Sequence, residues 1–116
     1  MPDHPACDET AKVQLLCYLV VGEIVAIVRT GECLRTDHLV ESARIWMQAT
    51  GVKCDWQDRL ELAQLAAKLA PRALATFNLT SEGSIVELFS GGWTLDYRKP
   101  VVREINQFCA NELVGR

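Results

Sequence analysis

The sequence predicts an all-α protein, a compact bundle of four to six helices that leaves space for one short β-hairpin near residues 85–97. Apolar residues recur at spacings of three and four along most of the chain, and helix-capping residues flank these stretches. The composition, 49% hydrophobic and 23% charged, is that of a globular protein. The 116 residues suit one domain. We place this domain at residues 9–116, behind a flexible N-terminal arm, residues 1–8.

The first helix is predicted from about Glu9 to Arg29. Asp8 or Thr10 can cap its start, because either side chain can accept a hydrogen bond from a free backbone N–H group. Gly31 can adopt the left-handed conformation that ends a helix.

Apolar side chains cover nearly every face of this first helix. Such a helix is typically buried by its neighbours or by a second chain. Its β-branched residues leave a second interpretation open, a buried strand between Leu19 and Val28. The longest unbroken apolar run, Leu15 to Val21, is much shorter than the ~20 residues of a membrane span, so we expect a core or dimer helix and no membrane.

Two amphipathic helices follow. One is predicted from Thr36 or Asp37 to about Thr50, with Thr36 as its cap, and the next begins after Asp55 and runs to Ala70. Pro71 either ends the latter or opens a short helix to Phe77. The predicted inner faces consist of Leu39, Val40, Ala43, Trp46 and Met47 in the first of the two, and of Leu62, Leu65, Ala66 and Leu69 in the second.

The segment from Asn78 to Lys99 supports two interpretations. Ser84 and Glu87 form a capping-box pattern, which predicts a short helix from Ser84 to Ser90. The runs 85–89 and 93–97 are equally typical of two strands joined by a loop. The sequence slightly favours the helix.

A last helix is predicted from Lys99 or Pro100 to about Val114, since proline suits the first helical position. Its inner face consists of Val101, Ile105, Phe108 and Cys109.

The charge distribution argues against nucleic acid as the ligand. The formal net charge is −3, and the basic residues are scattered singly apart from Arg98 and Lys99. A protein that binds nucleic acid non-specifically usually carries an excess of basic residues.

The number and spacing of the cysteines predict that their thiols are reduced. There are five, widely spaced and without a Cys-x-x-Cys pair, and the polar start of the chain does not resemble a secretory signal. We therefore expect a cytoplasmic protein.

Candidate catalytic and metal-binding groups are sparse. His4 with Cys7, and Cys33 with His38, are the closest pairs of zinc-ligand types, but neither has a familiar ligand spacing. His38 is the one histidine placed to act as a base, but its position favours a solvated residue at the start of a helix. We therefore expect no enzyme, no metal and no cofactor.

Four aromatic residues are candidate interface residues: Trp93, Phe89, Tyr97 and Trp56. Tryptophan and tyrosine are favoured as interface anchors. Trp93 can equally fill the end of the helical core.

The stretch from Pro71 to Phe89 resembles the general pattern of plain or winged helix-turn-helix regulators. The resemblance covers less than a third of the chain and implies DNA binding, with Arg72, Arg98 and Lys99 as candidate contacts. The stretch that would form the recognition helix carries Glu82 and Glu87 and lacks the arginine, lysine, asparagine and glutamine that read bases.

These observations favour a non-catalytic protein-interaction module, such as an adaptor, inhibitor or regulator. We expect a homodimer, with part of the first helix or the Trp93 region buried between chains, and a further protein partner of unknown identity. Two alternatives stay open. One is a small helix-turn-helix DNA-binding transcriptional regulator, and the other is an enzyme that uses a cysteine or His38.

Overall fold

Five helices make up the regular structure of residues 7–90 and 94–115, which are the residues that the computed structural model describes. The helices account for the all-α prediction, which is confirmed. In chain order they are α1 (Glu9–Thr30), α2 (Thr36–Thr50), α3 (Trp56–Thr76), α4 (Glu82–Val86) and α5 (Pro100–Val114).

Helix α1 lies at the centre of the bundle. It packs most extensively against α3, and also against α5, α2 and α4, and ten of its residues are buried. By length and composition α1 could cross a membrane, but slightly more than half of its most apolar window is buried within its own chain, as in a core helix. The alternative of a buried strand between Leu19 and Val28 is wrong, because both residues lie inside α1. Intrachain packing buries much of the apolar surface from which the sequence predicted a dimer, but Tyr18, Val25, Ile27 and Val28 are only half-buried.

The predicted caps of α1 and α3 are confirmed. The Asp8 carboxylate accepts a hydrogen bond from the Ala11 backbone N–H at 2.9 Å, and the Asp55 carboxylate accepts one from the Asp58 N–H at 2.8 Å. Thr36 is not a cap, because it is already the first residue of α2; Arg35 occupies the N-cap position, and its side chain makes no capping hydrogen bond.

Helix α3 continues through Pro71, where the sequence predicted a break. Proline removes one backbone donor and crowds the preceding turn. The buried face nevertheless extends beyond it, since Ala70 and Ala73 are both buried against the core. Continued burial of this face outweighs the local cost, and α3 ends only at Thr76.

The segment after α3 combines the two predicted alternatives. Helix α4 is shorter and earlier than the predicted helix, because Ser81 is its N-cap and Ser84 is the third helical residue, which completes the capping box. An isolated antiparallel bridge then pairs Phe89 with Leu95, so part of the hairpin forms as well. Ile85, Leu88 and Leu95 anchor this segment in the core. Residues 91–93 of the predicted loop lie outside the described residues.

A disulfide joins Cys7 to Cys54, with their Cα atoms 5.0 Å apart. The prediction that all cysteines are reduced is therefore wrong for this pair; Cys17, Cys33 and Cys109 are free. The partners are separated by 47 residues in the sequence, so no local pattern could reveal them. Of the predicted N-terminal arm, residues 1–6 lie outside the described residues, whereas Cys7 and Asp8 are bonded to the fold.

Candidate functional site: an uncharged groove between α1 and α2

Two adjoining cavities form one groove along α1 and α2. Their volumes are about 130 Å³ and about 500 Å³. Tyr18 and Leu95 line both cavities, so the two hollows are neighbours on one face of the protein. We call this feature the α1–α2 groove. Its lining consists of Tyr18, Leu19, Val21, Gly22, Val25, Leu39, Ser42, Ile45, Trp46, Ala49, Thr50, Phe89, Thr94, Leu95 and Tyr97.

Helical spacing places these side chains together. On α1, Tyr18, Gly22 and Val25 are separated by four and three residues and therefore share one face. On α2, Ile45 and Ala49 do the same. The Phe89–Leu95 bridge closes the third side of the groove, because pairing these two residues holds the chain beside both helices.

Among the described residues, no charged side chain lines the groove. Its polar side-chain groups are hydroxyls and the indole N–H of Trp46, and two of the hydroxyls already donate within the protein. The Thr50 hydroxyl donates to the Trp46 carbonyl at 2.8 Å, and the Tyr97 hydroxyl donates to the Gln14 carbonyl at 3.3 Å. Burial raises the pKa of Tyr97 above its ordinary value, so this phenol stays neutral. Such a surface can bind apolar groups and offers no general acid or base for catalysis.

Ile45 is an exposed apolar residue in the lining of the larger cavity. Its side chain is 49% exposed, whereas the other large apolar residues of the described chain are buried or half-buried, except for Trp56, Val86 and Val114. Gly22 lines the smaller cavity, and a Cβ atom added there would meet no described atom within 4 Å. The lining therefore includes both an exposed apolar residue and an open position.

The structure brings together two of the four predicted interface residues. Phe89 lines the smaller cavity and Tyr97 the larger one. Trp93 lies outside the described residues. Trp56 is 58% exposed at the start of α3, and the Arg59 guanidinium lies 5.6 Å from the centre of its ring; it does not line the groove.

Sequence reasoning missed Ile45 and Tyr18. A signal for Ile45 was available, because it is an apolar residue that lies off the predicted inner face of its helix. The role of Tyr18 could not be read, since almost every neighbouring position of α1 is also apolar.

The three basic residues proposed as nucleic-acid contacts do not form one surface. Arg72 binds Glu112 at 2.6 Å, near the end of α5. Lys99, whose ammonium group donates to the Phe89 carbonyl at 3.1 Å, precedes the start of α5. These ends are roughly 18 Å apart along the helix axis. Arg98 pairs with Asp96 at 3.1 Å, and this hydrogen-bonded pair lowers the pKa of Asp96.

The helix-turn-helix interpretation also lacks its recognition helix in the structure. Helix α4 has five residues, and Ile85 at its centre is fully buried. The preceding helix, α3, includes Pro71 in its interior instead of beginning there.

Other chemically distinctive groups lie outside the groove. Glu23 is fully buried; one of its carboxylate oxygens accepts a hydrogen bond from the Leu34 backbone N–H, and the other has no hydrogen-bond partner among the described residues. Burial raises the pKa of Glu23. This residue thus holds the loop between α1 and α2.

No group of three or more metal-ligating side chains converges within residues 7–90 and 94–115. His38 is exposed at the start of α2, beside an Asp37 that pairs with Arg35 at 2.9 Å. The described histidine is therefore not assembled with a nucleophile.

Comparison of the chain with protein-family models, with curated proteins and with solved structures finds no significant match. Arguments about function therefore rest on the geometry and chemistry of the groove.

Proposed function

We propose that this protein is a non-catalytic protein-interaction module and that the α1–α2 groove, with Ile45 at its rim, is its binding face. The observation that supports this proposal is the absence of charge from a long groove in a protein of which 23% of the residues are charged. Depletion of charge at the centre of a contact surface is characteristic of protein interfaces.

The aromatic lining of the larger cavity fits the same role. Tyr18, Trp46 and Tyr97 line it, and aromatic residues are enriched among those that dominate binding energy.

Ile45 supplies a driving force for binding. Its side chain is 49% exposed, and complete burial of an isoleucine is favourable by about 1.5–3 kcal/mol. Covering the exposed half therefore contributes about 1 kcal/mol from this residue alone. A partner with an uncharged apolar surface can gain this energy without desolvating an ion.

Site-specific photo-crosslinking tests the proposal. A photoreactive phenylalanine analogue is placed at Ile45 in one chain and at Glu104, on the exposed side of α5, in a matched control. After irradiation of cells that express the full chain, we expect a discrete protein adduct from position 45 and none from position 104. Absence of an adduct at position 45, or equal adducts at both positions, would contradict the proposal.

A further inference from the structure

We infer that the partner of the α1–α2 groove is the same face of a second copy of this chain, in a two-fold dimer whose α2 helices cross antiparallel at Ile45. This inference rests on the proposed function and names its partner. Three features of the groove face support it.

The first feature is shape. A two-fold interface pairs a surface with itself, so a residue on the axis meets its own copy. Ile45 is 49% exposed and lines the larger cavity together with Trp46 and Leu95. At the axis the two Ile45 side chains therefore meet each other, and each copy covers the apolar hollow beside them.

The second feature is charge complementarity. The groove lining has no charge, and the nearest ionic groups on α2, Glu41 and Arg44, form an ion pair with each other. In an antiparallel crossing centred on Ile45, Glu41 faces Ala49 of the second copy. Like charges are therefore not opposed along the contact, and the face can meet itself without repulsion.

The exposed aromatic patch at Trp56 could not meet its own copy without repulsion between like charges. Arg59 lies over the Trp56 ring, so a two-fold contact there would bring two guanidinium groups close together. Charge thus favours the groove face over the Trp56 face as the site of self-association.

The third feature is the open space at Gly22. Glycine in a helix interior destabilises the helix relative to alanine, and Gly22 does not have the positive φ that would require it. A Cβ atom there would meet no described atom within 4 Å, so packing against the described residues does not require glycine either. A glycine at this position would allow a second copy to approach α1 closely, because no side chain stands in the way.

Sedimentation of the purified full chain at micromolar concentration provides the first test. We expect a dimer. Ile45→Glu places a charge in both halves of the contact and should raise the dimer dissociation constant at least about 100-fold. Val114→Glu is the matched control, because Val114 is 75% exposed at the end of α5, and it should leave the dimer unchanged.

Gly22→Leu tests the same face without a new charge. It lies in the interior of α1, where leucine is the better helix former, and its side chain occupies the open space. We expect a folded monomer. If Ile45→Glu fails to fold, the sedimentation of Gly22→Leu shows whether this face forms the dimer contact.

Cysteine pairing tests the register. In a Cys33→Ser background, which removes the exposed free thiol, Ile45→Cys should give a disulfide-linked dimer under mild oxidation by oxidised glutathione. A chain carrying Glu41→Cys should link to one carrying Ala49→Cys, and neither should link to itself, since the two positions are about 12 Å apart along α2.

The outcomes separate the two proposals. A wild-type monomer at all accessible concentrations, or a dimer unaffected by both Ile45→Glu and Gly22→Leu, would overturn the two-fold dimer. If that monomer still gave a photo-adduct with a different protein from position 45, the interaction module would stand without the dimer. If position 45 gave no adduct at all, the proposed function itself would fail.

Discussion

Replacing Cys7 and Cys54 with serine should remove a large part of the folding stability. The disulfide joins residues separated by 47 positions, and the loop that it closes contains all of α1 and α2. For a loop of this length, the chain-entropy relation predicts a stabilisation of about 4 kcal/mol. That is a substantial fraction of the roughly 5–15 kcal/mol by which domains are stable.

Urea unfolding followed by circular dichroism measures this effect. With a denaturant dependence of about 1.5 kcal/mol per molar urea, the double variant should unfold at a midpoint about 2–3 M lower than the oxidised wild type. Cys33→Ser is the control, because Cys33 is exposed and free, and it should leave the midpoint unchanged. A loss below about 1 kcal/mol, or five alkylatable thiols in the native protein, would refute the reasoning.

The same bond bears on the proposed location of the protein. A cytoplasmic location, which we retain as a proposal, predicts a reducing environment, whereas disulfides usually persist in oxidising compartments. Trapping thiols by alkylation in intact cells, followed by mass spectrometry of the Cys7 and Cys54 peptides, distinguishes the cases. We expect the two peptides to be linked if the bond contributes to stability in the cell; complete alkylation of both would show that the bond does not form there.

Three further substitutions test individual contacts by urea unfolding. Burial raises the pKa of Glu23, so the folded protein holds the proton on this side chain more tightly than the unfolded chain does. The resulting contribution to folding stability is complete below the ordinary glutamate pKa, and it is lost as the pH rises through the raised pKa of the folded protein. Glu23→Gln, which keeps an acceptor for the Leu34 N–H, should therefore stabilise the protein by about 1–3 kcal/mol at pH 7 and much less at pH 4; an equal effect at both would contradict this. Pro71→Ala should stabilise α3 by about 1–3 kcal/mol by restoring a backbone donor for the Ala67 carbonyl, and a neutral result would indicate two helices. Asp55→Ala should cost about 1 kcal/mol through loss of the α3 cap, and an unchanged urea midpoint would contradict that role of Asp55.

Much of the fold could be predicted from the sequence because the signals that start and end the helices are local. Asp8 and Asp55 cap helices through bonds to residues three positions away, and Gly31 and Gly51 end helices through their own backbone conformation. Pro71 was misread because its local cost competes with burial of α3 against distant residues. Tertiary packing of this kind overrides helix propensity.

The candidate site was less predictable because it depends on non-local contacts. Phe89 and Tyr97 were identified as interface candidates from residue type, but the groove exists only because the Phe89–Leu95 bridge places them beside α1 and α2. The buried position of Glu23 and its bond to Leu34 depend equally on how the α1–α2 loop folds back. The spacing of residues along the chain predicts neither the position of the bridge beside α1 and α2 nor the bond between Glu23 and Leu34.

Hydroxyl-radical footprinting tests the role of the α1–α2 groove most directly, because it reports the solvent exposure of individual side chains in solution. We expect oxidation of Ile45 and Tyr18 to fall as the protein concentration rises into the micromolar range, while oxidation of Trp56 stays constant as an internal reference. Protection of Trp56 with Ile45 unprotected would contradict self-association through the groove, and so would constant oxidation of all three residues.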